Sequence, residues 1–159
     1  MKNYRNKFIP KNKSGFTIVE LLVIVLVIGV LLTILFLTYS GIQVRQRNST
    51  RISDTKLIQA NLETYYAQSG FYPSLANMNS AKWTKSNFRT LDPATLQDPS
   101  AKPNTARFVS TPTVRYYSYQ PTASDGVTAC DNKTVICAKY TITATLEGNS
   151  GSFSEHSLN

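Results

Sequence analysis

Hydrophobic positions along this chain fall into three regimes. From Phe16 to Tyr39 the residues are apolar almost throughout, and Glu20 is the one charged residue among the 24. As a helix, this run would span about 36 Å, against a bilayer hydrocarbon core of about 30 Å. The pattern predicts one membrane crossing. After Gly41 a helical period takes over. Ile58, Leu62, Tyr65 and Tyr66 follow an i, i+4, i+7, i+8 stripe, and no proline intervenes before Pro73. Gly70 suits the left-handed C′ position, Phe71 at C″ can meet Tyr66, and Pro73 blocks continuation. A helix from Phe16 to Ser69 would hold 54 residues and measure about 81 Å. The roughly 90 residues that follow are too few to bury such a rod. Its first half needs lipid or other copies of itself.

The third regime is mixed. Residues 71–106 read as irregular, with Pro93, Pro99 and Pro103 among many turn formers. Long connections of this kind are functional surface or poorly ordered. Short strands then appear. One is aromatic and starts near Val114. The other, from Ala138, alternates strictly, with Tyr140, Ile142, Ala144 and Leu146 on one face and Thr141, Thr143 and Thr145 on the other. A turn at Asp131-Asn132-Lys133 predicts a hairpin with Val127–Cys130, and the tail from Gly148 reads as loosely held. The predicted class is α+β: a long N-terminal helix whose C-terminal half packs on a small antiparallel sheet of three or four strands.

Charge refines this picture. The net charge is +8, but Lys2, Arg5, Lys7, Lys11 and Lys13 all precede the apolar run, with no acidic residue among them. Positive residues beside a membrane span stay cytoplasmic, so the N-terminus reads as inside and the bulk of the chain as outside. Arg45, Arg47, Arg51 and Lys56 flank the other end. No aromatic residues interleave with them for base stacking, as a nucleic-acid stripe would need, and they read as a solvated, lipid-proximal helix face. Glu63 has no close cation along its helix. Cys130 and Cys137, in the outer part, read as one disulfide of an oxidising compartment. The alternatives are free thiols or half of a zinc site, for which only His156 could add an imidazole.

No catalytic set is visible. There is no glycine-rich phosphate loop ahead of a helix, and no histidine placed to activate a serine or cysteine. The chain reads as a non-enzyme without a cofactor. Asp92, Asp98 and Asp125 are acidic loop positions of the type calcium uses, but their spacing does not show the converging oxygens that ion requires. Asn48-Ser49-Thr50 and Asn132-Lys133-Thr134 match the N-x-[ST] pattern.

A secretory signal is cut behind small residues that follow its apolar segment. Here the small pair, Ser14-Gly15, precedes it. The stretch "KSGFTIVELLVIVLVIGVLL" resembles the class III signal of type IV pilins and pseudopilins. That resemblance implies cleavage after Gly15 by a prepilin peptidase, N-methylation of the new terminus Phe16, and a role for Glu20 as the glutamate at the fifth mature position. In the family this carboxylate attracts the terminal amine of an adjacent subunit and sets axial register. One departure is the proline many members carry midway along the helix, where this chain has Leu37.

The implied organisation is a cleaved basic leader (1–15), a transmembrane and fibre-core helix (16–41), its amphipathic continuation (42–70), an irregular αβ-loop region (71–106) and an antiparallel head with a disulfide-stapled hairpin and flexible tail (107–159). The implied function is that of a structural subunit of a type IV pilus-like extracellular fibre. Its partners would be other pilins, the prepilin peptidase, an inner-membrane assembly platform and, before assembly, the lipid bilayer. A pseudopilin or minor pilin of a secretion or DNA-uptake machine is the first alternative. A single-pass membrane-anchored binding domain is the second. Adhesion, twitching, secretion and uptake are family roles among which the chain does not select.

Overall fold

The computed structural model describes residues 15–102 and 105–159. Residues 1–14 of the expected leader, and Pro103, lie outside the described residues. The chain divides into two compact units, one ending at Ser40 and the other Gly41–Asn159. Helix α1, Ile18–Ser69, contributes to both. It starts two residues later than the hydrophobic run because Thr17 takes the cap position. The Thr17 carbonyl accepts the first helical bond, from the Leu21 amide at 3.2 Å. In the first unit every described side chain from Gly15 to Phe36 is exposed.

The second unit is built on α1 from Gly41 onward. Helix α2 (Leu75–Asn79), helix α3 (Ala81–Asn87) and a 3-10 turn (Pro93–Leu96) follow, then strands β1 (Phe108–Val109), β2 (Tyr117–Thr122), β3 (Lys139–Thr145) and β4 (Ser152–His156). The region 71–106 is therefore not irregular. Ser74, Ser80 and Asp92 cap its three short helical turns by accepting backbone N–H bonds, which sets the chain direction without a hydrophobic period.

The strands form one sheet in the order β1-β2-β3-β4. It is mixed rather than antiparallel: β1 runs parallel to β2, through Phe108–Tyr117 and Val109–Ser118 only. A full parallel ladder needs a long crossover, but a two-pair ladder is reached by residues 110–116, with Arg115 at φ 70° and a Thr113–Tyr116 bridge. The predicted Val127–Cys130 hairpin does not form. Only Ala129 bridges, to Thr122, because Asp125 takes the Val127 and Thr128 amides, both at 2.9 Å. Cys130 and Cys137 are joined as a disulfide across a loop, in which Asp131 accepts from Lys133, Thr134 and Val135 amides. The tail is not loose either. Ser152–His156 pairs with β3 along its whole length, and the His156 carbonyl accepts from Gln59 at 2.8 Å.

The core joins Ile58 and Leu62 of α1 to Tyr72, Met78, Phe108, Tyr117, Tyr119, Tyr140 and Ile142. Each such burial contributes about 1.5–3 kcal/mol. A tyrosine-rich core must also satisfy its hydroxyls. Tyr117 donates to Asp54 at 2.8 Å, Tyr119 to the Pro73 carbonyl at 2.8 Å, and Tyr72 and Tyr140 to the two oxygens of Glu63. Burial pushes the Tyr72 hydroxyl up to about 12. Glu63, which forms no ion pair among the described residues, thus accepts from a pair of phenols instead. At the end of α1, Gly70 (φ 77°) donates to the Tyr66 carbonyl at 2.8 Å. Phe71 meets the Tyr65 ring edge at 6.0 Å rather than Tyr66, because Tyr66 stacks on Tyr72 at 4.5 Å.

One polar network fastens α1 to the loops of this unit. Arg51, with no exposed side-chain surface, donates to both oxygens of Asp98 at 2.6 and 3.0 Å, to Glu147 at 2.7 Å and to Ser100 at 2.9 Å. Arg47 holds Glu147 from the other side, and Asn48 exchanges bonds with the Glu147 backbone at 3.0 and 2.9 Å. Hydrogen bonds from Arg47 above all, then Arg51 and Ser100, hold the Glu147 carboxyl down at about 2.

Three outcomes follow for the full chain in detergent, read from its near-UV tyrosine signal. Replacing Cys130 and Cys137 by alanine reopens an eight-residue loop and should cost about 2–3 kcal/mol in urea unfolding; an unchanged midpoint would contradict the loop's contribution. Arg51→Met leaves Asp98 buried without its cation and should cost about 3–5 kcal/mol, against under about 1 kcal/mol for exposed Arg45→Met. Acid should act through Glu147, Asp125 and Asp131, all held at about 2. Because their folded values lie below the unfolded ones, their contribution is intact above about pH 4.5 and is lost as pH falls toward 2. Asp54, raised mainly by burial, opposes this slightly, since its protonation favours the folded state. Glu147→Gln should flatten the acid limb; loss of signal beginning near neutrality would contradict this account.

Candidate processing and assembly site

The segment Gly15–Glu20 opens α1, and its geometry is set by reciprocal bonding. The Thr17 hydroxyl accepts the Glu20 amide at 3.2 Å and donates to Glu20 Oε2 at 3.1 Å, while the Thr17 amide donates to the same oxygen at 3.1 Å. This is a capping box, T-x-x-E, that satisfies two otherwise orphaned amides of the first turn. The carboxylate also lies at the positive end of the helix dipole. Thr17 was legible as a helix-start signal directly ahead of an apolar run; reading Glu20 only as a charge in grease misses it.

Half of the carboxylate is left over. Among the described residues, Glu20 Oε1 accepts no hydrogen bond and no cation pairs with Glu20. Phe16 is exposed, and a Cβ placed on Gly15 would meet nothing within 4 Å. Packing in this structure therefore gives no reason for glycine at position 15.

The other sequence candidates are dispersed and occupied. Asp92 caps the turn at Pro93, Asp98 is the partner of Arg51, and Asp125 closes its own loop. No three acidic, histidine or cysteine side chains converge as a metal site among the described residues. The basic face reads differently in three dimensions: Arg51 is buried and Arg47 is ion-paired, while Arg45 and Lys56 stay exposed. Lys56 lies 5.7 Å over the Phe153 ring. A carboxylate more than 40 positions away cannot be seen from helix spacing, and that is why the anchor was missed. Both N-x-[ST] asparagines have their amides engaged, Asn48 by Glu147 and Asn132 by the Tyr72 carbonyl at 2.7 Å and the Cys137 amide at 2.8 Å. His156 is exposed, with Nδ1 3.0 Å from the Thr141 hydroxyl.

Residues 10–36 match the family model of the prokaryotic N-terminal methylation motif. No curated protein and no solved structure matches the chain significantly. The motif points to a structural protein and implies, in general terms, peptidase processing and pilin assembly; with α1, long and apolar enough to cross a membrane, it fits a membrane-anchored pilin. Residues 10–36, which run into the capped, apolar start of α1, thus carry the motif of the class III signal peptide of type IV pilins, and this supports a type IV pilin-like prepilin.

Proposed function

We propose that this chain is a prepilin cut after Gly15, N-methylated at Phe16, and assembled through its apolar helix into a type IV pilus-like extracellular fibre. Before assembly it crosses the cytoplasmic membrane once, with residues 1–15 inside. Residues 16–41 then form the fibre core, while 42–70 carry the head.

The observation behind this reading is the first unit: apolar side chains exposed along the whole described run to Phe36, ending at a capped carboxylate with one oxygen unpartnered among the described residues. Apolar surface on this scale marks a membrane or protein contact. Cleavage would convert the Phe16 amide into an ammonium, the only cation the reaction itself creates at this end. An unpaired carboxylate among packed apolar helices is costly, and one meeting an amine is tolerated. Glu20 would then penalise subunits out of register.

Mass spectrometry of the protein from its native cells should find an N-terminal peptide starting at N-methylated Phe16. An intact Met1 would remove the reading and leave a plain membrane-anchored domain. Glu20→Leu should still be processed but yield few or no sheared fibres, whereas unaltered fibre yield would remove the register role. Processing without any fibre of the native chain would instead identify a pseudopilin or minor pilin.

A further inference from the structure

We propose that, before assembly, the base of the second unit rests on the outer surface of the membrane and binds its anionic phospholipid headgroups. The inference rests on the single membrane crossing proposed above. The second unit begins at Gly41, just past the end of the apolar run. At 1.5 Å per residue, Val44, Arg45 and Arg47 lie about 4.5, 6 and 9 Å beyond Gly41 along α1. Headgroups occupy about 5–7 Å on each side of the hydrocarbon core. Side chains held beside Val44–Arg47 are therefore held at headgroup level or just above it. A helix tilt of about 20° would move a group about 10 Å to the side by only about 3 Å.

Three loops are held at that level. The turn after β3 reaches α1 at Val44, since a Cβ placed on Gly148 would lie 3.4 Å from Val44 Cγ1. Pro99 and Ser100 from one loop, and Val114 and Arg115 from another, meet Arg47 and Glu147 around a cleft of about 520 Å³. Ser100 is bonded to Glu147 at 3.0 Å, and the Thr113–Tyr116 bridge fixes the turn that carries Arg115.

The charge of this base is one-sided. Residues 41–51, 98–102, 110–116 and 146–151 hold five basic side chains, Arg45, Arg47, Arg51, Lys102 and Arg115, and two acidic ones, Asp98 and Glu147. Both carboxylates are already taken by Arg51, and Glu147 by Arg47 as well. Arg45 and Arg115 are exposed, and neither forms an ion pair among the described residues. Val114, next to Arg115, is 54% exposed. An aliphatic tip beside an arginine suits a bilayer interface, where the guanidinium meets a phosphate and the valine sits below it. Exposure alone would not choose among anions. The tether does, because α1 delivers these arginines to within about 8 Å, one Debye length, of a phosphate layer they cannot diffuse away from.

The test uses nitroxide labels on the full chain, whose two native cysteines form a disulfide. Labels at Val114→Cys, Leu31→Cys and Ile136→Cys are read by collision with oxygen and with an aqueous nickel complex. The vesicles are phosphatidylcholine, alone or with about 30% phosphatidylglycerol. Phosphatidylglycerol should lower nickel access at Val114 at least about threefold, and about 1 M salt, with its Debye length of about 3 Å, should restore it. Arg45→Gln together with Arg115→Gln should abolish the difference, and Lys133→Gln should not. Ile136 lies on the loop bonded to Tyr72, about 45 Å up α1, and its label should stay in water throughout. Equal nickel access at Val114 in both vesicles, with Leu31 shielded, overturns the inference and leaves the crossing intact. A Leu31 label open to nickel overturns the crossing, and the inference with it. Equal shielding of Val114 by soluble polyglutamate over phosphatidylcholine alone would identify an acidic protein surface instead, and also overturns it.

Discussion

The second unit depends on hiding polar groups of α1 without leaving any of them unmet. Its buried face runs Arg51, Asp54, Thr55, Ile58 and Leu62, which is a helical stripe of i, i+3, i+4, i+7 and i+11. Three of those five side chains are polar. An unmatched buried polar group costs about 1–3 kcal/mol and a charge more, so each needs a specific partner. Arg51 finds Asp98 and Glu147, Asp54 finds the Tyr117 hydroxyl, and Thr55 turns its hydroxyl back to the Arg51 carbonyl at 2.7 Å. Those partners lie on the loop before β1, on β2 and after β3. The helix therefore fixes the head through directional bonds, and the few aliphatic contacts fill the space between.

This division explains which parts of the chain could be read in advance. The lower stripe, Ile58 and Leu62, is hydrophobic and shows its period openly. Its continuation through Arg51 and Asp54 looks like solvent-facing charge, because burial by pairing leaves no hydrophobic trace. The strand from Lys139 could be recognised by its alternation, whereas β4, Ser152–His156, is exposed at alternate positions and carries only Phe153 as a large apolar residue. Pairing with β3, not burial, makes it a strand. β1 has two residues, below any period. The short helices were hidden for a related reason: Ser74 and Ser80 read as turn formers, and only the bonds they accept distinguish a cap from a loop. The disulfide loop was legible in its cysteines but not in its shape, which Asp131 sets by accepting three amides.

The first unit follows opposite rules. Its polar groups largely serve themselves: Thr17 and Glu20 share their capping bonds, and the Thr33 hydroxyl donates to the Gly29 carbonyl at 2.8 Å. Such back-bonding costs a helix little and leaves the Thr17 and Thr33 hydroxyls without need of a neighbour. What it presents outward is aliphatic, and apolar contact is non-directional. Two such helices sliding past one another would exchange one aliphatic contact for another, with little in the energy to stop them at one offset. Only a group with an unmet electrostatic requirement can distinguish offsets. Among the described residues of this unit, the free oxygen of Glu20 is the one such group that carries a charge, and it sits one turn from the bond whose cleavage would produce an ammonium. Placed at mid-helix, the same carboxylate would lose its cap and meet no amine in any register. Its position in the first turn would therefore let one side chain cap the helix, as it does here, and align subunits in the proposed fibre.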